Sequence, residues 1–430
     1  MMNEEILAES VGKAVLAGVR TTGESEFEAS MKELRGLAEA CGYAAETMVT
    51  QRLERPDAAT YIGSGKVQEI KQELYITGAD TVIFMNTLTP SQLSNLAHEL
   101  ETEVLDKTGL ILQIFGERAR SAEAKLQVEY AKLQYMLPRL SGLRQNLSRQ
   151  GGTGGSMSNK GSGEKQIELD RRHIEKRMAE LRRALKDVES GREVMRRKRR
   201  ASGLPLAALV GYTNAGKSTL LNRMLDTYCP DEEKKVMERD MLFATLDTTV
   251  RRICVGNGRD FLLSDTVGFI HDLPHDLIEA FHSTLEEAKL ADLLIQVVDS
   301  SDENWERHIE TTEKTLAALG AGHIPMLYVM NKADRGPHPE LVPFAVGSKL
   351  YMSAKNGTGV ELLTEHITDM LFGKRIECEL LIPYGDGAVE NRLRREAEVV
   401  TAEYRPEGIY MKCKLEKRLQ EELRGYRMIS

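Results

Sequence analysis

Residues 204–220 read Leu-Pro-Leu-Ala-Ala-Leu-Val-Gly-Tyr-Thr-Asn-Ala-Gly-Lys-Ser-Thr-Leu: an apolar strand-like run, a glycine-bounded loop and a helix start. Within it, Gly211-Tyr212-Thr213-Asn214-Ala215-Gly216-Lys217-Ser218 matches the phosphate-loop pattern G-x-x-x-x-G-K-[ST]. Gly211 and Gly216 permit backbone angles and close approaches that a Cβ would block, so successive N–H groups can turn onto phosphate oxygens. Lys217 offers a point charge to β- and γ-phosphates. Ser218 offers a hydroxyl to Mg²⁺, and the helix N-terminus adds its dipole. Asn214, Ala215 and Thr219 complete the expected phosphate cradle.

Working outward, residues 204–372 repeat strand and helix patterns in the manner of a doubly wound sheet. Core strands are expected at 293–298, 326–330 and 350–352, with helices at about 275–290, 304–319 and 360–372. Val250–Val255 and Phe261–Ser264 flank Gly256-Asn257-Gly258, a hairpin signal. Ligand contacts in such sheets fall at the carboxyl ends of strands, and the short motifs fall there too. Asp265-Thr266-Val267-Gly268 follows one strand, putting Asp265 near the metal and the Gly268 N–H near a γ-phosphate. Asn331-Lys332-Ala333-Asp334 follows another. A carboxylate at Asp334 can accept from the ring N–H and the exocyclic amine of guanine, a pairing adenine cannot supply. Ser353-Ala354-Lys355 completes a base pocket, so the order of motifs implies GTP.

Phe243-Ala244-Thr245-Leu246-Asp247-Thr248-Thr249 lies between the first two motifs. Thr245 is the chosen switch threonine, whose hydroxyl would complete the Mg²⁺ shell; Thr248 and Thr249 are the alternative registers. The catalytic set is therefore Lys217, Thr245 and Gly268, and the metal set Ser218, Thr245 and Asp265. Phe269 stands where many GTPases carry a water-orienting glutamine. Phenylalanine can neither donate nor accept, so turnover should await a partner. His271, His275 and His282 cluster nearby, but Pro274 interrupts them and no cysteine is close, which argues against zinc.

A chain of 430 residues suggests two to four domains. Five scattered cysteines (Cys41, Cys229, Cys254, Cys378 and Cys413) without a C-x-x-C pair suit a reducing compartment. The N-terminus lacks a basic region followed by an apolar run, and no apolar segment reaches membrane-spanning length. The expectation is a cytoplasmic monomer. Residues 116–200 hold 22 Lys or Arg against 11 Asp or Glu, a local charge of +11 in a chain of −8, which leaves −19 elsewhere. Such asymmetry suits either a nucleic-acid surface or a solvated helix face.

In that segment Leu126, Tyr130, Leu133 and Leu137 form one helical stripe, and Ile167, Ile174, Met178, Leu181, Leu185 and Val188 a second. Together they predict an antiparallel hairpin over 116–200 with a glycine-rich, basic tip loop at 141–163. The tip is either an RNA-inserting element or a plain linker. Met195-Arg196-Arg197-Lys198-Arg199-Arg200 closes the segment as a hinge or phosphate contact. Residues 1–115 read as a small α/β domain in which Tyr61-Ile62-Gly63-Ser64-Gly65-Lys66 is a glycine turn rather than a second phosphate loop. Residues 201–372 form the nucleotide-binding domain. Residues 373–430 form a small α/β docking module.

Longer signatures tie these parts together. Leu88-Thr89-Pro90-Ser91-Gln92-Leu93-Ser94-Asn95-Leu96, Asp106-Lys107-Thr108-Gly109-Leu110-Ile111-Leu112, Lys125-Leu126-Gln127-Val128-Glu129, Leu137-Pro138-Arg139-Leu140, Phe243-Ala244-Thr245-Leu246-Asp247 and Asp265-Thr266-Val267-Gly268-Phe269-Ile270 resemble those of the HflX family of ribosome-associated GTPases. The resemblance implies a GTP hydrolase that binds the large ribosomal subunit and its rRNA. It also implies reach toward the peptidyl-transferase centre through the hairpin tip, separation of stalled 70S ribosomes, and hydrolysis stimulated by the ribosome. Two positions depart from the family pattern. No proline follows Leu246-Asp247, and Gly161-Ser162-Gly163-Glu164-Lys165-Gln166 stands where Gly-Pro-Gly-Glu-Thr-Gln is common. Rival readings are a GTP-regulated assembly or hibernation factor without splitting activity, and a tRNA-modifying GTPase, for which no further catalytic centre is found.

Overall fold

A computed structural model describes residues 12–21, 26–150, 157–201, 203–230, 249–270, 282–336 and 338–426. They group into two compact units, one running to Val194 and the other taking in most of the chain from Met195 onward.

The first unit is built on β1 (Gly12–Arg20), joined by β2 (Tyr43–Arg52), β3 (Thr81–Phe84) and β4 (Glu103–Asp106) in a parallel sheet of order β2-β1-β3-β4. Parallel strands need crossovers, and α1 (Phe27–Ala40), α2 (Ser64–Thr77) and α3 (Pro90–Leu100) supply them. Residues 14–19 of β1 are all buried, because helices cover both faces. Met31, Leu34, Leu37 and Ala38 of α1 are buried at helical spacing. The Leu88-Thr89-Pro90-Ser91-Gln92 signature is a helix start: Thr89 and Gln92 cap each other reciprocally, and Pro90 holds the first turn, where no N–H is needed. Tyr61 takes a left-handed φ of 65° and Gly63 precedes the first turn of α2, so the glycine stretch at 61–66 is a turn that runs into a helix. Strands β2 and β4 and helix α2 carry no strong sequence period.

Asp106 ends β4 and begins α4 (Lys107–Arg118). Its fully buried carboxylate accepts from the N–H groups of Gly109 (2.9 Å) and Leu88 (3.3 Å). It also accepts from the Tyr135 hydroxyl (2.6 Å) and Arg139 Nη2 (3.1 Å). Tyr135 and Arg139 come from α5 (Ala122–Gln150), which packs on α3 and α4. The Arg139 guanidinium lies 3.1 Å from the Tyr135 ring centroid. Burial and the adjacent Asp106 charge push the Tyr135 phenol well above its ordinary range.

Helix α5 differs from the sequence expectation in two ways. Its deepest residues are Ala124, Gln127, Val128 and Ala131, while Leu126, Tyr130, Leu133 and Leu137 are only half-buried. The helices approach closely at glycines, since a Cβ on Gly109 would meet the Tyr135 hydroxyl at 2.8 Å, so small residues make the seam. In α6 (Met157–Ala201) Met178 and Leu181 are buried, as expected for a packed stripe. The expected tip loop at 141–163 is also shorter: α5 runs through Gln150 and α6 restarts at Met157. No glycine interrupts 143–150, which lets the helix continue. Residues 151–156 lie outside the described set.

The second unit holds a seven-stranded sheet of order β10-β11-β9-β8-β5-β7-β6. Its strands are β5 (Leu206–Val210), β6 (Thr249–Ile253), β7 (Phe261–Asp265), β8 (Leu293–Asp299), β9 (Met326–Asn331), β10 (Phe344–Val346) and β11 (Lys349–Tyr351). The five central strands are parallel; β6 and β10 pair antiparallel at the edges. Helices α7 (Lys217–Tyr228), α8 (His282–Lys289), α9 (Trp305–Ala318) and α10 (Val360–Phe372) cross between them. The expected hairpin is present, with left-handed φ at Gly256, Asn257 and Gly258. Beyond it, β12 (Ile376–Ile382), β14 (Gly408–Leu415) and β13 (Glu398–Arg405) form an antiparallel sheet covered by α11 (Gly387–Glu396) and α12 (Lys417–Glu422).

Arg259, 5% exposed in the turn of the β6–β7 hairpin, ties these pieces together. Its guanidinium donates to Asp369 Oδ1 (3.1 Å) and to the Gly373 carbonyl, and lies 3.4 Å from Glu416. Arg375 donates to the Asn257 carbonyl at 2.7 Å.

Asp106→Ala removes the acceptor for four donors at a buried junction, and breaking such a pair costs about 3 kcal/mol. The expected result is an earlier urea transition for the N-terminal unit, read by hydrogen exchange in β3 and α4, with nucleotide binding unchanged.

Candidate functional site

The phosphate loop lies at the carboxyl end of β5, the central strand of the larger sheet. Gly211 has φ 142°, and a Cβ there would collide with the Val297 carbonyl oxygen on β8. Gly216 has φ 94°, and a Cβ there would collide with the Asn331 amide. Both glycines are thus required by contact as well as by torsion. Asn214 is left-handed at φ 60° and exposed at the crest, while Ala215 is buried beneath it.

Lys217 begins α7 and folds back over the loop, its Nζ donating to the carbonyls of Gly211 (3.1 Å) and Tyr212 (3.0 Å). Burial disfavours its charged form and brings its pKa down to about 8, against a smaller opposing pull from Asp265. Thr219 is half-buried in the same first turn. Ser218 Oγ donates to Asp265 Oδ2 at 2.7 Å, and Asp265 is fully buried at the end of β7. A hydroxyl and a carboxylate this close make an all-oxygen donor pair, which fits Mg²⁺, a hard cation that takes few protein ligands alongside phosphate and water.

After Asp265 the chain runs back along the loop. Thr266 Oγ1 donates to the Leu209 carbonyl at 2.7 Å, and Tyr212 and Phe269 form a parallel bridge. In that bridge Thr213 N–H donates to Phe269 O (2.8 Å) and Phe269 N–H to Gly211 O (3.1 Å). Gly268 is pressed against the loop: a Cβ would lie 2.9 Å from Thr213 Cα and 3.1 Å from Lys217 Nζ. The Phe269 ring is 1% exposed, so it packs in the core. Thr245, Asp247 and Thr248 lie outside the described residues, as do His271 and His275.

Asn331 joins the two ends of the site. Its Nδ2 donates to the Ala215 carbonyl at 2.8 Å, and its Oδ1 accepts from the Ala354 N–H at 2.9 Å. Lys332, left-handed at φ 57°, pairs with Asp299 at 2.8 Å. Asp334 lies in a short 3₁₀ turn (Ala333–Arg335), half-exposed and without a hydrogen bond or ion pair among the described residues. Ser353 and Ala354 are buried and Lys355 is exposed.

Sequence reading missed Arg223 of α7, whose Nε donates to the Ala354 carbonyl (3.2 Å) and whose Nη2 donates to the Lys355 carbonyl. It also missed the stack of Tyr212 on His308 of α9, with ring centroids 3.9 Å apart at 14°. Neither belongs to a short motif.

A phosphate loop with its lysine and serine, a carboxylate at the end of the adjoining strand and an Asn-Lys-x-Asp turn beside it define a P-loop GTPase. Family models described as "GTP-binding GTPase N-terminal", "GTP-binding GTPase Middle Region" and "50S ribosome-binding GTPase" match residues 28–116, 118–199 and 206–332. The chain is 40% identical to the GTPase HflX of Caldanaerobacter subterraneus subsp. tengcongensis over 98% of its own length and 95% of that protein. It is 42% identical to the GTPase HflX of Alkalihalophilus pseudofirmus, over 93% and 92% respectively. Among solved structures, a GTP-binding protein from the archaeon Sulfolobus solfataricus in complex with GDP is 25% identical, with a TM-score of 0.44. That likeness covers 84% of this chain and 98% of the archaeal one. The chain belongs to the HflX family and is a GTP hydrolase. Among the described residues no helix is long and apolar enough to cross a membrane.

Because burial brings the Lys217 pKa down to about 8 in the free protein, a bound triphosphate is expected to draw a proton back onto it as the pH rises through that value. GTP affinity is therefore expected to be flat below pH 8 and to fall by up to tenfold per unit above it. Titration calorimetry at pH 8.8 in buffers of different ionisation enthalpy checks this; absence of proton uptake would place the Lys217 charge beyond dispute at that pH.

Proposed function

We propose that the protein is a GTP-driven switch that binds the large ribosomal subunit and its rRNA in the cytoplasm, as a monomer, and separates stalled or idle 70S ribosomes. Hydrolysis, stimulated by the ribosome, resets it. The observation that carries the dependence on a partner is the burial of Phe269. With its ring in the core and its backbone bridged to the phosphate loop, the residue after Gly268 has nothing to offer an attacking water. The ribosome reading is supported by the "50S ribosome-binding GTPase" family description, by the HflX relatives and by the +11 helical segment, whose charge suits phosphate contacts.

In this reading the loop amides from Asn214 to Thr219 and the Lys217 ammonium hold the phosphates. Ser218, Asp265 and Thr245 would hold Mg²⁺, which when bound would supply neutralising charge to the phosphates. The Gly268 N–H faces the γ-phosphate, and ribosomal or backbone groups order the water. Asn331, Lys332 and Asp334 take the guanine with Ser353, Ala354 and Lys355. The free Asp334 carboxylate is the natural acceptor for the ring N–H and amine.

The test is sedimentation of purified 70S ribosomes with the protein and a non-hydrolysable GTP analogue. The expected result is loss of the 70S peak into 30S and 50S. Protein that co-sediments with an unchanged 70S peak would instead make it a binding or hibernation factor. For the base pocket, Asp334→Asn reverses a donor and an acceptor. GTP affinity should drop by about 10- to 100-fold while xanthosine triphosphate gains, as measured by competition against a fluorescent guanine nucleotide.

A further inference from the structure

Arg223 occupies an unusual position for a charged side chain. It projects from α7, the helix whose first turn faces the phosphates, toward the loop after β11. There its fork spans two successive carbonyl oxygens, Ala354 O at 3.2 Å from Nε and Lys355 O from Nη2. Among the described residues it has no carboxylate partner. Gly357, left-handed at φ 79°, brings its backbone alongside, where a Cβ would lie 3.4 Å from Arg223 Cδ.

The peptide plane gives this contact a consequence at the base. In a trans peptide the C=O of one residue and the N–H of the next point in opposite directions. Holding the Ala354 carbonyl on α7 therefore turns the Lys355 N–H away from α7, and among the described residues that N–H has no acceptor. The neighbouring amides are already engaged. Ala354 N–H donates to Asn331 Oδ1 (2.9 Å), Ser353 N–H to Thr358 O (3.0 Å) and Asn356 N–H to Ser353 Oγ (3.4 Å). Of the four amides from Ser353 to Asn356, Lys355 N–H is thus the one without an acceptor among the described residues, and so the one open to a ligand.

We propose that Arg223 is a specificity-determining positioning residue: by fixing the Ala354–Lys355 peptide it aims the Lys355 N–H at the six-position oxygen of guanine, where adenine carries an amine. This rests on the reading of Ser353-Ala354-Lys355 as the base pocket. Recognition of the base then divides into two edges. Asp334 reads the ring N–H and the two-amine, and the Arg223-held peptide reads the six-oxygen.

The experiment measures dissociation constants for GDP, for the inosine diphosphate that keeps the six-oxygen and ring N–H but lacks the amine, and for the 2-aminopurine riboside diphosphate that keeps the amine but lacks the six-oxygen and, with it, the ring N–H. These are compared in the wild-type chain, Arg223→Ala and Arg223→Lys, with melting temperatures in parallel. Wild type is expected to prefer GDP over the 2-aminopurine compound. Arg223→Ala should weaken GDP and inosine diphosphate each by about tenfold while leaving the 2-aminopurine compound within twofold, so that the preference for the six-oxygen collapses. Lysine can hold one carbonyl but not both, and should recover part of the preference. An equal loss across all three nucleotides would show that Arg223 merely holds α7 and the loop together, overturning the proposal. So would an unchanged preference in Arg223→Ala. If wild type itself does not distinguish GDP from the 2-aminopurine compound, the base-pocket reading fails first, independently of Arg223.

Discussion

The Asn331 side-chain amide carries a disproportionate share of the nucleotide site. One of its atoms donates to the phosphate loop at Ala215 and another accepts from the loop after β11 at Ala354, so a single planar group fixes the separation of those two loops. Gly216 must be glycine for that amide to come so close, and Lys332 must leave the strand in a left-handed conformation for Asp334 to turn toward the site. An amide in this place is satisfied at both ends without any ligand, which avoids the cost of an unmet buried polar group. The pocket is therefore built before the nucleotide arrives, and binding energy need not be spent on assembling it.

The same economy explains the free lysine. Lys217 rests on the carbonyls of Gly211 and Tyr212, two acceptors that partly compensate its burial. Burial lowers its pKa, and carbonyl dipoles are weaker partners than phosphate charge, so the site is primed for an anion. Ser218 and Asp265 behave alike, each satisfying the other at 2.7 Å in the place where a cation would draw both oxygens toward itself.

Local motifs were legible in the sequence because their causes are local. Gly211, Gly216, Lys217 and Ser218 sit within eight residues, and the structure shows a contact for each glycine. Phe269 could be read as unable to order water from its side chain alone. Arg223 could not be found, since its partners are more than a hundred residues away and are backbone carbonyls, which leave no mark on residue type. The seam of α5 was misjudged for a related reason: pattern reading favours large apolar residues, but Gly109 draws the helices so close that Ala124, Val128 and Ala131 fill the gap. The Asp106 signature was visible as a string of letters, yet its meaning depends on Tyr135 and Arg139 one helix later. Strands β4 and β10 were lost because such short strands carry too few residues for a period to show, and β2 because this edge strand has no buried–exposed alternation along its length.

Arg259 has a bearing on how such a site can answer to a partner. The β6–β7 hairpin is the piece of chain between the Thr245 segment and Asp265, and Thr249 pairs directly with Asp265 across it. Any movement of that hairpin reaches Asp265 directly. Its far end is fastened by Arg259 to Asp369 and Glu416, and through Asn257 to Arg375, so it is anchored to α10 and to the start of α12. Removing a buried guanidinium's partners is costly, which makes the hairpin end a fixed point and leaves bending to the strand ends near the nucleotide. A force applied to the C-terminal sheet would therefore be delivered to Asp265 through two antiparallel strands, a stiffer path than a loop could provide.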